Sequence, residues 1–334
     1  MAKKLFIPGP TYVRDEILQA QTKPMIGHRA TEYSDLQEAV TPKLQKLLYT
    51  EQPVFVYASS GTGVMEGAIR QAVLKRALVT VCGAFSERWY EIAVANGIPT
   101  DRIDVPMGEG FTPEMIDAAL SKGDYDALTV TLNETSTGVM NPLQEIAALV
   151  REKYPDTLLL VDAVSAMAGV KIAFDDWGLD VVISSSQKCF ALPPGLAVCG
   201  VSERALKRAE QVPNRGYYFD FIDQLKYFKR NQTPATPAIS LIYALNQQMD
   251  DILVEGLDAR WARHITMAEI VRAWARTHWA LFPNEAFLSN TVTTVKNTRN
   301  ADISALNKEL GKRGASISNG YGGLKDKTFR IAHM

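Results

Sequence analysis

Short apolar runs alternate with helix-like stretches between residues 53 and 201. The runs are rich in valine, leucine and isoleucine, and they read PVFVYAS, ALVTVC, RIDVP, DALTVTL, TLLLVDAV, LDVVISS and LAVCGVS. Helices are predicted between them over residues 61–76, 85–95 and 142–154, and from Thr112, where Thr-Pro-Glu is typical of a helix start. Strands that alternate with helices favour an α/β fold, a mostly parallel sheet with helices on both faces.

The pattern changes after about Val201. Long helical segments cover residues 238–252 and 257–277, and they are followed by one strand, TVTTV, a helix over 302–313 and a final strand-like FRIAHM. We therefore expect an N-terminal segment over 1–20, a large domain over 21–252 and a smaller α/β domain over 253–334. No internal repeat or low-complexity linker separates these parts, so we expect them to pack as one rigid body.

Composition and charge argue against several classes of protein. The 334 residues are 46% hydrophobic, and a net charge of −1 gives no electrostatic reason to expect nucleic acid or an anionic membrane as a partner. The three cysteines form no CxxC pair and the four histidines are scattered, so neither disulfides nor a metal site is indicated. The apolar stretch near the N-terminus is only Leu5 to Ile7, and no stretch reaches the roughly 18 apolar residues of a membrane span. A cytoplasmic protein is expected.

The first strand is followed by a glycine-rich turn, ASSGTGVMEGA. Glycines at the start of a helix let backbone amides approach an anion, which the helix dipole also favours. Gly61, Gly63 and Gly67 are spaced one residue too long for the dinucleotide fingerprint, and the next strand ends in Cys82-Gly83 instead of an acid. A phosphate site is therefore the functional interpretation of this turn, and a tight turn without a ligand is the alternative.

Two other strand ends carry chemistry. Asp162 ends an almost uniformly apolar strand, and such a carboxylate needs a partner, which could also be a helix N-terminus or a local salt bridge. Lys188 follows the strand VVISS, although many lysines of this kind simply lie on the surface. Together with the polar turn NETSTG, these ends offer an anion cradle, a buried acid and an amine. Pyridoxal 5′-phosphate demands such a set, because it has a phosphate, a pyridine nitrogen and an aldehyde.

With these residues in place, the sequence resembles the class V aminotransferases of fold type I, in the group of alanine–glyoxylate and serine–glyoxylate (serine–pyruvate) aminotransferases. The resemblance covers nearly the whole chain, through PGPT, SSGTGVMEGA, GAFSERW, NETSTGV, VDAVSAMAG, SSSQK, PPG, TPATPAISL and FRIAHM. It implies the PLP-dependent transferase fold, with a mostly parallel seven-stranded sheet in the large domain and a smaller α/β C-terminal domain. Relatives usually continue with a further helix after FRIAHM, so the small domain is expected to be incomplete at its C-terminus.

The resemblance also implies a role for each matching position. Lys188 would be the Schiff-base lysine, and Asp162 would face the pyridine nitrogen. The phosphate would be held by Ser60, Gly61, Thr62 and Gln187; the ring would lie between Phe85 and Val164, with Ser136 near its hydroxyl group. Arg330 would grip the substrate carboxylate, and the N-terminal segment with Gly9, together with His28 and Arg29, would lie at the active-site entrance. Thr233 and Thr236 match positions that reach the phosphate of the neighbouring subunit, so a homodimer is implied.

These roles predict a transaminase that moves the amino group of serine or alanine to glyoxylate or pyruvate. His28 and Arg29 resemble the pair that phosphoserine aminotransferases use on the substrate phosphate, so an enzyme for phosphoserine and 2-oxoglutarate is the alternative. Serine–glyoxylate enzymes carry a similar pair, and a His-Arg pair can also be a simple surface feature, so this motif does not choose between them. A lyase of the cysteine desulfurase type fits less well, because Gln187 precedes the lysine and no cysteine follows Cys199. A binding module without catalysis would have lost one of the catalytic positions, and none is lost.

Overall fold

A seven-stranded sheet forms the centre of the molecule, for which the computed structural model describes residues 3–334. Its strands, numbered in chain order, are β2 (Val54–Tyr57), β3 (Ala77–Val81), β4 (Thr100–Asp104), β5 (Ala127–Thr131), β8 (Leu158–Asp162), β9 (Val181–Ser185) and β10 (Ala197–Val201). They lie in the order β2-β10-β9-β8-β5-β3-β4. The five strands from β9 to β4 are parallel, and β10 runs antiparallel to both of its neighbours. The prediction of a mostly parallel sheet is confirmed.

Helices cover both faces of this sheet and account for its apolar strands. They are α1 (Asp15–Ala20), α2 (Thr31–Leu48), α3 (Gly61–Ala72), α4 (Ala84–Ala95), α5 (Pro113–Leu120), α6 (Leu143–Lys153), α7 (Glu203–Gln211), α8 (Phe221–Phe228) and α9 (Ile239–Glu255). Along β8, Leu159 and Val161 belong to one apolar cluster while Leu158 and Leu160 belong to the other. Because both faces are covered, β2 reads VFVY, and β8 (LLLVD) and β9 (VVISS) are apolar up to their carboxyl ends, whereas the edge strand β4 reads TDRID and is only half-buried.

A second sheet has five strands and contains both the first strand and the last strand of the described chain. Its order is β1 (Lys4–Phe6), β13 (Ala315–Asn319), β14 (Thr328–Ala332), β12 (Val292–Lys296) and β11 (Ala280–Leu281), and helices α10 (Leu257–His278) and α11 (Ile303–Lys312) accompany it. The pairing of β1 with β13 is parallel. The sequence pattern indicated only β12 and β14, because β1 has three residues and β13 reads ASISN without an apolar run.

One helix ends earlier than the sequence pattern predicted, and one predicted domain boundary lies inside a helix. The helix predicted over 61–76 ends at Ala72, because the backbone N–H groups of Leu74, Lys75 and Arg76 donate to the Asp126 carboxylate instead of continuing the helix. The domain boundary predicted at residue 252 falls inside α9. We propose Gly256, between α9 and α10, as the boundary, since its φ of +86° favours glycine and interrupts the helical path.

Two short strands complete the part of the fold that bears on function. β6 (Asn133–Glu134) and β7 (Val139–Met140) form a hairpin immediately after β5, at the carboxyl edge of the large sheet. The α-helices of residues 3–334 include none that is both long enough and apolar enough to cross a membrane.

Candidate active site

A cavity of about 550 Å³, including its open mouth, lies at the carboxyl edge of the large sheet. Loops that follow β2, β3, β5, β8 and β9 converge there, as expected of an open α/β sheet. Eight of the residues selected from the sequence line this cavity: Ser60, Gly61, Thr62, Phe85, Asp162, Val164, Gln187 and Lys188. The strand ends that the sequence indicated are therefore brought together, although up to 128 residues separate them along the chain.

Lys188 lies against the N-terminal segment. Its Nζ donates a hydrogen bond to the carbonyl oxygen of Pro8, and a Cβ on Gly9 would lie 2.7 Å from its Cδ, so only glycine permits this close approach. Burial, assisted by the charge of Arg330, lowers the pKa of the Lys188 amine from 10.5 to about 8. A sizeable fraction of the amine is therefore neutral near physiological pH, which a nucleophile or a base requires.

The lowered pKa predicts how Lys188 reacts in the cofactor-free protein. Only the neutral amine reacts with an acylating reagent, so we expect labelling of Lys188 to rise with a midpoint near pH 8 instead of 10.5. Brief labelling at a series of pH values, followed by quantitative mass spectrometry of the Lys188 peptide, measures this midpoint. A midpoint above pH 10 would show that the amine stays charged in its cavity.

Asp162 presents a buried carboxylate to the same cavity. Its side chain is 4% exposed, and Oδ1 accepts a hydrogen bond of 2.8 Å from the Val164 N–H. Burial raises the pKa of the carboxyl group from 3.8 to about 7. Within residues 3–334, Asp162 forms no ion pair. Burying an ionised carboxylate without an ion-pair partner costs free energy, and a cation from outside the chain would offset that cost.

The start of α3 forms the opposite wall. Ser60 is the N-cap, and its Oγ accepts a hydrogen bond of 3.4 Å from the Gly63 N–H. The first N–H groups of a helix have no partner inside the helix, so those of Gly61 and Thr62 can bind an anion. A Cβ on Gly61 would lie 2.6 Å from Cγ2 of Val164. The glycine thus leaves the room that a larger residue would fill.

Some residues of the cavity wall carried no assigned role in the sequence analysis. They are Met65, Arg88, Asn133, Thr135, Ser165 and Ser185. Ser136, expected near the cofactor ring, lies behind the wall instead, where its Oγ donates to Glu134 at 2.6 Å and accepts from the Ala84 N–H. We propose that Thr135 and Asn133, which line the cavity, lie near the cofactor ring where Ser136 was expected. The alternation of side chains along NETST could have indicated this, since Asn133 and Thr135 share one face and Ser136 points to the other.

Glu134 organises this region, although the sequence analysis assigned it no specific role. Its fully buried carboxylate accepts hydrogen bonds from the N–H groups of Phe85, Ser86 and Ser136, and from the Ser86 and Ser136 hydroxyl groups. A carboxylate at a helix N-terminus is stabilised by the amides and by the helix dipole. Glu134 therefore holds the start of α4, and with it the Phe85 side chain at the cavity.

Arg330, on β14, approaches the site from the second sheet. Its Nε donates to the Asn319 carbonyl at 3.1 Å and its Nη1 to the Thr135 carbonyl at 3.3 Å. Burial lowers the pKa of its guanidinium to about 10, and within residues 3–334 it forms no ion pair with a carboxylate. The Arg330 guanidinium lies 5.6 Å from the centre of the Tyr321 ring. The Tyr321 and Phe85 rings are in turn 5.0 Å apart.

The remaining sequence-selected residues lie outside the cavity of their own chain. Arg29 donates to the carbonyl oxygens of Thr233, at 2.5 Å, and Pro234, at 2.8 Å, and its guanidinium lies 5.1 Å from the Tyr227 ring. His28 is half-buried beside it, Thr233 is buried and Thr236 is exposed. Within a single chain, none of these residues lines the cavity that contains Lys188.

Pyridoxal phosphate, expected from the resemblance, fits the residues present. Ser185 Oγ, Gln187 Oε1 and Asn133 Oδ1 are buried at the cavity without a hydrogen-bond partner in the described chain. Buried polar atoms of this kind are normally satisfied, so a polar ligand accounts for them. A protonated pyridine nitrogen would supply the cation that Asp162 lacks, the α3 amides would hold the phosphate, and Lys188 would meet the aldehyde.

Comparison with known proteins identifies the family. The family described as aminotransferase class V matches residues 13–323. The chain is 38% identical to an aminotransferase of Methanocaldococcus jannaschii, over 99% of this chain and 88% of the relative, and 32% identical to the L-aspartate–glyoxylate aminotransferase of Paracoccus denitrificans, over 99% and 86%. The crystal structure of an alanine–glyoxylate aminotransferase from Nostoc sp. superposes with a TM-score of 0.93 at 30% identity, over 100% of this chain and 90% of the other.

The family match, the extent of the similarity and the cavity at the sheet edge agree. Class V aminotransferases depend on pyridoxal phosphate, and they act on amino acids and 2-oxo acids. This chain belongs to the class V family and is a pyridoxal-phosphate-dependent aminotransferase.

Proposed function

We propose that the enzyme moves the amino group of a small L-amino acid, alanine or serine, to glyoxylate or pyruvate by a ping-pong mechanism through Lys188. One observation carries this proposal: a single cavity holds a buried amine of lowered pKa, a buried carboxylate without a cation and an anion-binding helix start. Within the family, these are the groups that a transaminase needs.

The chain's residues divide the work as follows. When bound, pyridoxal phosphate supplies an aldehyde for amines and a ring that accepts electron density from the substrate Cα. With the cofactor bound, Lys188 Nζ would be the base that takes the proton from the substrate Cα and the acid that delivers it again. The Asp162 carboxylate would keep a facing ring nitrogen protonated, because a nearby negative charge stabilises the cation.

The substrate carboxylate is assigned to Arg330. Its Nε and Nη1 are engaged with carbonyl oxygens at 3.1 and 3.3 Å, which fixes the plane of the guanidinium and leaves Nη2 for the ligand. Glyoxylate as acceptor is supported by the similarity to an L-aspartate–glyoxylate and an alanine–glyoxylate aminotransferase. Alanine and serine as donors are supported by the resemblance of the motifs to the alanine/serine–glyoxylate group.

Half-reaction spectra test the proposed substrates. We expect the absorption band of the bound cofactor to shift on addition of alanine or serine, and to return when glyoxylate or pyruvate is added, because each half-reaction changes the state of the cofactor. The panel also contains aspartate, glutamate and phosphoserine, each at the same concentration. A band that responds to none of these amino acids would contradict transamination, and a response to glutamate or aspartate alone would contradict the proposed donors.

Phosphoserine is the alternative donor, and the position of Arg29 argues against it. A role for Arg29 in binding the substrate phosphate requires a guanidinium at the cavity, whereas Arg29 is engaged with two carbonyl groups and an aromatic ring. If phosphoserine is nevertheless converted, Arg29→Ala should lower its kcat/KM at least ~10-fold, the effect of losing one charge-assisted contact, with little effect on alanine. If the parent enzyme does not convert phosphoserine, this alternative is wrong.

We also propose a homodimer that shares its active sites, with the loop carrying Thr233 and Thr236 at the phosphate site of the neighbouring subunit. Two hydrogen bonds from Arg29 hold the backbone of this loop, and Thr236 is exposed and therefore accessible to a partner. Within one chain, this loop has no role at the cavity.

Cofactor binding and dimerisation should therefore be linked. A ligand that binds only the dimer stabilises it, by about 2.7 kcal/mol per site at one hundred times its Kd. We expect sedimentation velocity to show that the protein saturated with pyridoxal phosphate remains dimeric at concentrations where the cofactor-free protein dissociates. Thr236→Ala should weaken this linkage. An active monomer saturated with cofactor would contradict the shared site.

A further inference from the structure

The turn that follows Asp162 packs directly against the turn that follows Lys188. Cys189, the residue after Lys188, donates a weak hydrogen bond from Sγ to the Ser165 carbonyl oxygen at 3.5 Å. A Cβ on Gly169 would lie 2.7 Å from the same Sγ, so only glycine permits this close approach. The position of Lys188 relative to Asp162 therefore depends on how these two turns are held together.

Both turns contain an alanine in the left-handed region of the backbone. Ala168 has a φ of +68° and Ala191 has a φ of +51°. This conformation costs free energy in any residue that carries a Cβ, and it persists only where surrounding contacts hold the chain. The shape of each turn therefore depends on contacts from outside the turn.

Arg260 supplies such a contact to both turns at once. It lies in the first turn of α10 and is 6% exposed. Its Nε donates to the Ala168 carbonyl oxygen at 2.6 Å, and its Nη2 donates to the Cys189 carbonyl oxygen at 2.7 Å. Because the guanidinium group is planar and rigid, these two hydrogen bonds fix the distance between the two carbonyl groups.

The third side of the Arg260 guanidinium is paired with a carboxylate. Nη1 lies 2.9 Å from Oε2 of Glu255, the last residue of α9. Glu255 also accepts a hydrogen bond of 3.0 Å from Nη2 of Arg263, an exposed residue of the next turn of α10. Arg260 is therefore held between the end of α9 and the two turns.

Stability alone does not account for this arginine. Burial opposes the charged form and lowers the pKa of the Arg260 guanidinium, and a buried ion pair can often be replaced by apolar residues without loss of stability. Arg260 lies outside the set of residues that line the Lys188 cavity. Any effect of Arg260 on the reaction must therefore pass through the backbone that it holds.

We propose that Arg260 is a positioning residue that sets the place of Lys188 relative to Asp162. It does so by holding the carbonyl groups of Cys189 and Ala168. The assignment rests on the proposed function, because it takes Lys188 and Asp162 to be the groups that act during transamination. It makes the start of α10 part of the support of the active site.

Two substitutions of Arg260 separate its geometry from its charge. Arg260→Lys keeps the charge but loses the planar fork of donors, and Arg260→Ala removes both. The substrate is the amino acid that gives the fastest spectral change with the parent enzyme. Since a misplacement of about 1 Å can cost roughly 100-fold in rate, we expect both variants to lower the single-turnover rate about 10- to 100-fold. The substrate Kd, obtained from the concentration dependence of that rate, should change less than about 3-fold, because Arg260 makes no contact at the cavity.

The pH dependence of Lys188 labelling in the cofactor-free protein gives a second measure. Arg260→Lys keeps its own charge and leaves unchanged the charged and titratable groups that act on the Lys188 amine, which are Arg330, Asp162, Cys189 and Arg88. A displaced amine is less completely buried, so we expect the labelling midpoint to rise by at least about 0.5 pH unit from its value near 8. A purely structural role would lower the melting temperature and leave this midpoint unchanged.

Chemical rescue tests the fork of donors directly. Arg260 lines a second, open cavity of about 980 Å³ together with Glu255 and Ala191, so a small cation can reach the space vacated in Arg260→Ala. Ethylguanidinium should raise the single-turnover rate of this variant about 3-fold or more, because it can bridge both carbonyl groups. Ethylammonium at the same concentration should have less effect, since it carries the charge without the fork.

Arg263→Gln is the matched control, because Arg263 lies on the same helix and pairs with the same carboxylate but is exposed. It should leave the single-turnover rate and the labelling midpoint unchanged. Should Arg260→Ala fail to fold, Arg260→Lys carries the comparison by itself, because it keeps a cation beside Glu255.

Two results would overturn the proposal. One is a rate and a labelling midpoint of Arg260→Lys equal to those of the parent, and the other is equal rescue by the two cations, which would assign the effect of Arg260 to its charge. Borohydride trapping of the cofactor in the parent protein keeps the two levels apart. Trapping at Lys188 together with an unchanged midpoint in Arg260→Lys rejects this inference alone, and trapping on another lysine rejects the proposed function.

Discussion

Replacement of Lys188 by alanine should leave a folded protein whose transamination rate falls by at least about 10²–10⁴-fold, the contribution of a positioned general base. If covalent attachment of the cofactor to Lys188 also speeds the reaction, the loss of rate should be larger still. The side chain makes one hydrogen bond, to the Pro8 carbonyl, and its amine is costly to bury in the charged form. Removing it should therefore leave the melting temperature nearly unchanged. Single-turnover rates and thermal unfolding measure the two effects.

Lys171→Ala provides the control for this variant, because Lys171 lies on the surface against the Tyr49 ring and outside the cavity. Its rate should equal that of the parent enzyme. Borohydride reduction in the presence of pyridoxal phosphate, followed by peptide mapping, should label Lys188 in the parent protein and leave the Lys188→Ala variant unlabelled at the active site. A label on another lysine in the parent would show that the assignment is wrong.

Replacement of Asp162 should separate catalysis from stability. Asp162→Asn keeps the size of the side chain and removes the charge that we propose holds the ring nitrogen protonated, so the proton-transfer step should slow by about 100-fold or more, in the range of acid–base effects. Cofactor affinity should fall much less, since the substitution does not alter the proposed phosphate site. A single-turnover rate equal to that of the parent would contradict this role.

Although Asp162→Asn should slow catalysis, it should stabilise the cofactor-free protein against unfolding. Burial raises the pKa of the Asp162 carboxyl group from 3.8 to about 7, so the folded protein binds this proton more tightly than the unfolded chain does. The stability contributed by the protonated group is present below pH 3.8 and is lost as the pH rises to about 7, at about 1.4 kcal/mol per unit. The stability of Asp162→Asn relative to the parent should therefore rise progressively between about pH 4 and pH 7 and level off above pH 7.

Urea unfolding of both cofactor-free proteins across this interval measures the difference, and saturation with pyridoxal phosphate should reverse it by supplying the cation. Asp126→Asn is an informative comparison, because Asp126 is also buried but is paired with Arg208 at 3.4 Å and with three backbone N–H groups. That substitution should destabilise the protein, since it leaves donors unsatisfied. A stability difference for Asp162→Asn that does not vary with pH would show that the carboxylate is adequately solvated.

The sequence by itself determined the layered fold and the main groups of the site. Apolar strands of uniform character require helices on both faces, and a polar residue at the end of such a strand must lie at the carboxyl edge of a parallel sheet. Asp162, Lys188 and the Gly61 turn could therefore be placed at one edge without coordinates. Their chemistry, combined with the order of the motifs, indicated the family.

Only the tertiary structure decided which side chains face the cavity. Ser136 was expected there, but the geometry of the β6–β7 hairpin turns Thr135 inward and directs Ser136 to Glu134. Arg88 and Ser185 look like an exposed helical arginine and one of several serines until α4 and β9 are packed against α3. The reverse direction of β10 and the addition of β1 to the second sheet are equally invisible in the pattern, because strand direction and strand partners depend on contacts between residues distant in sequence, and the alternation of side chains is the same for either choice.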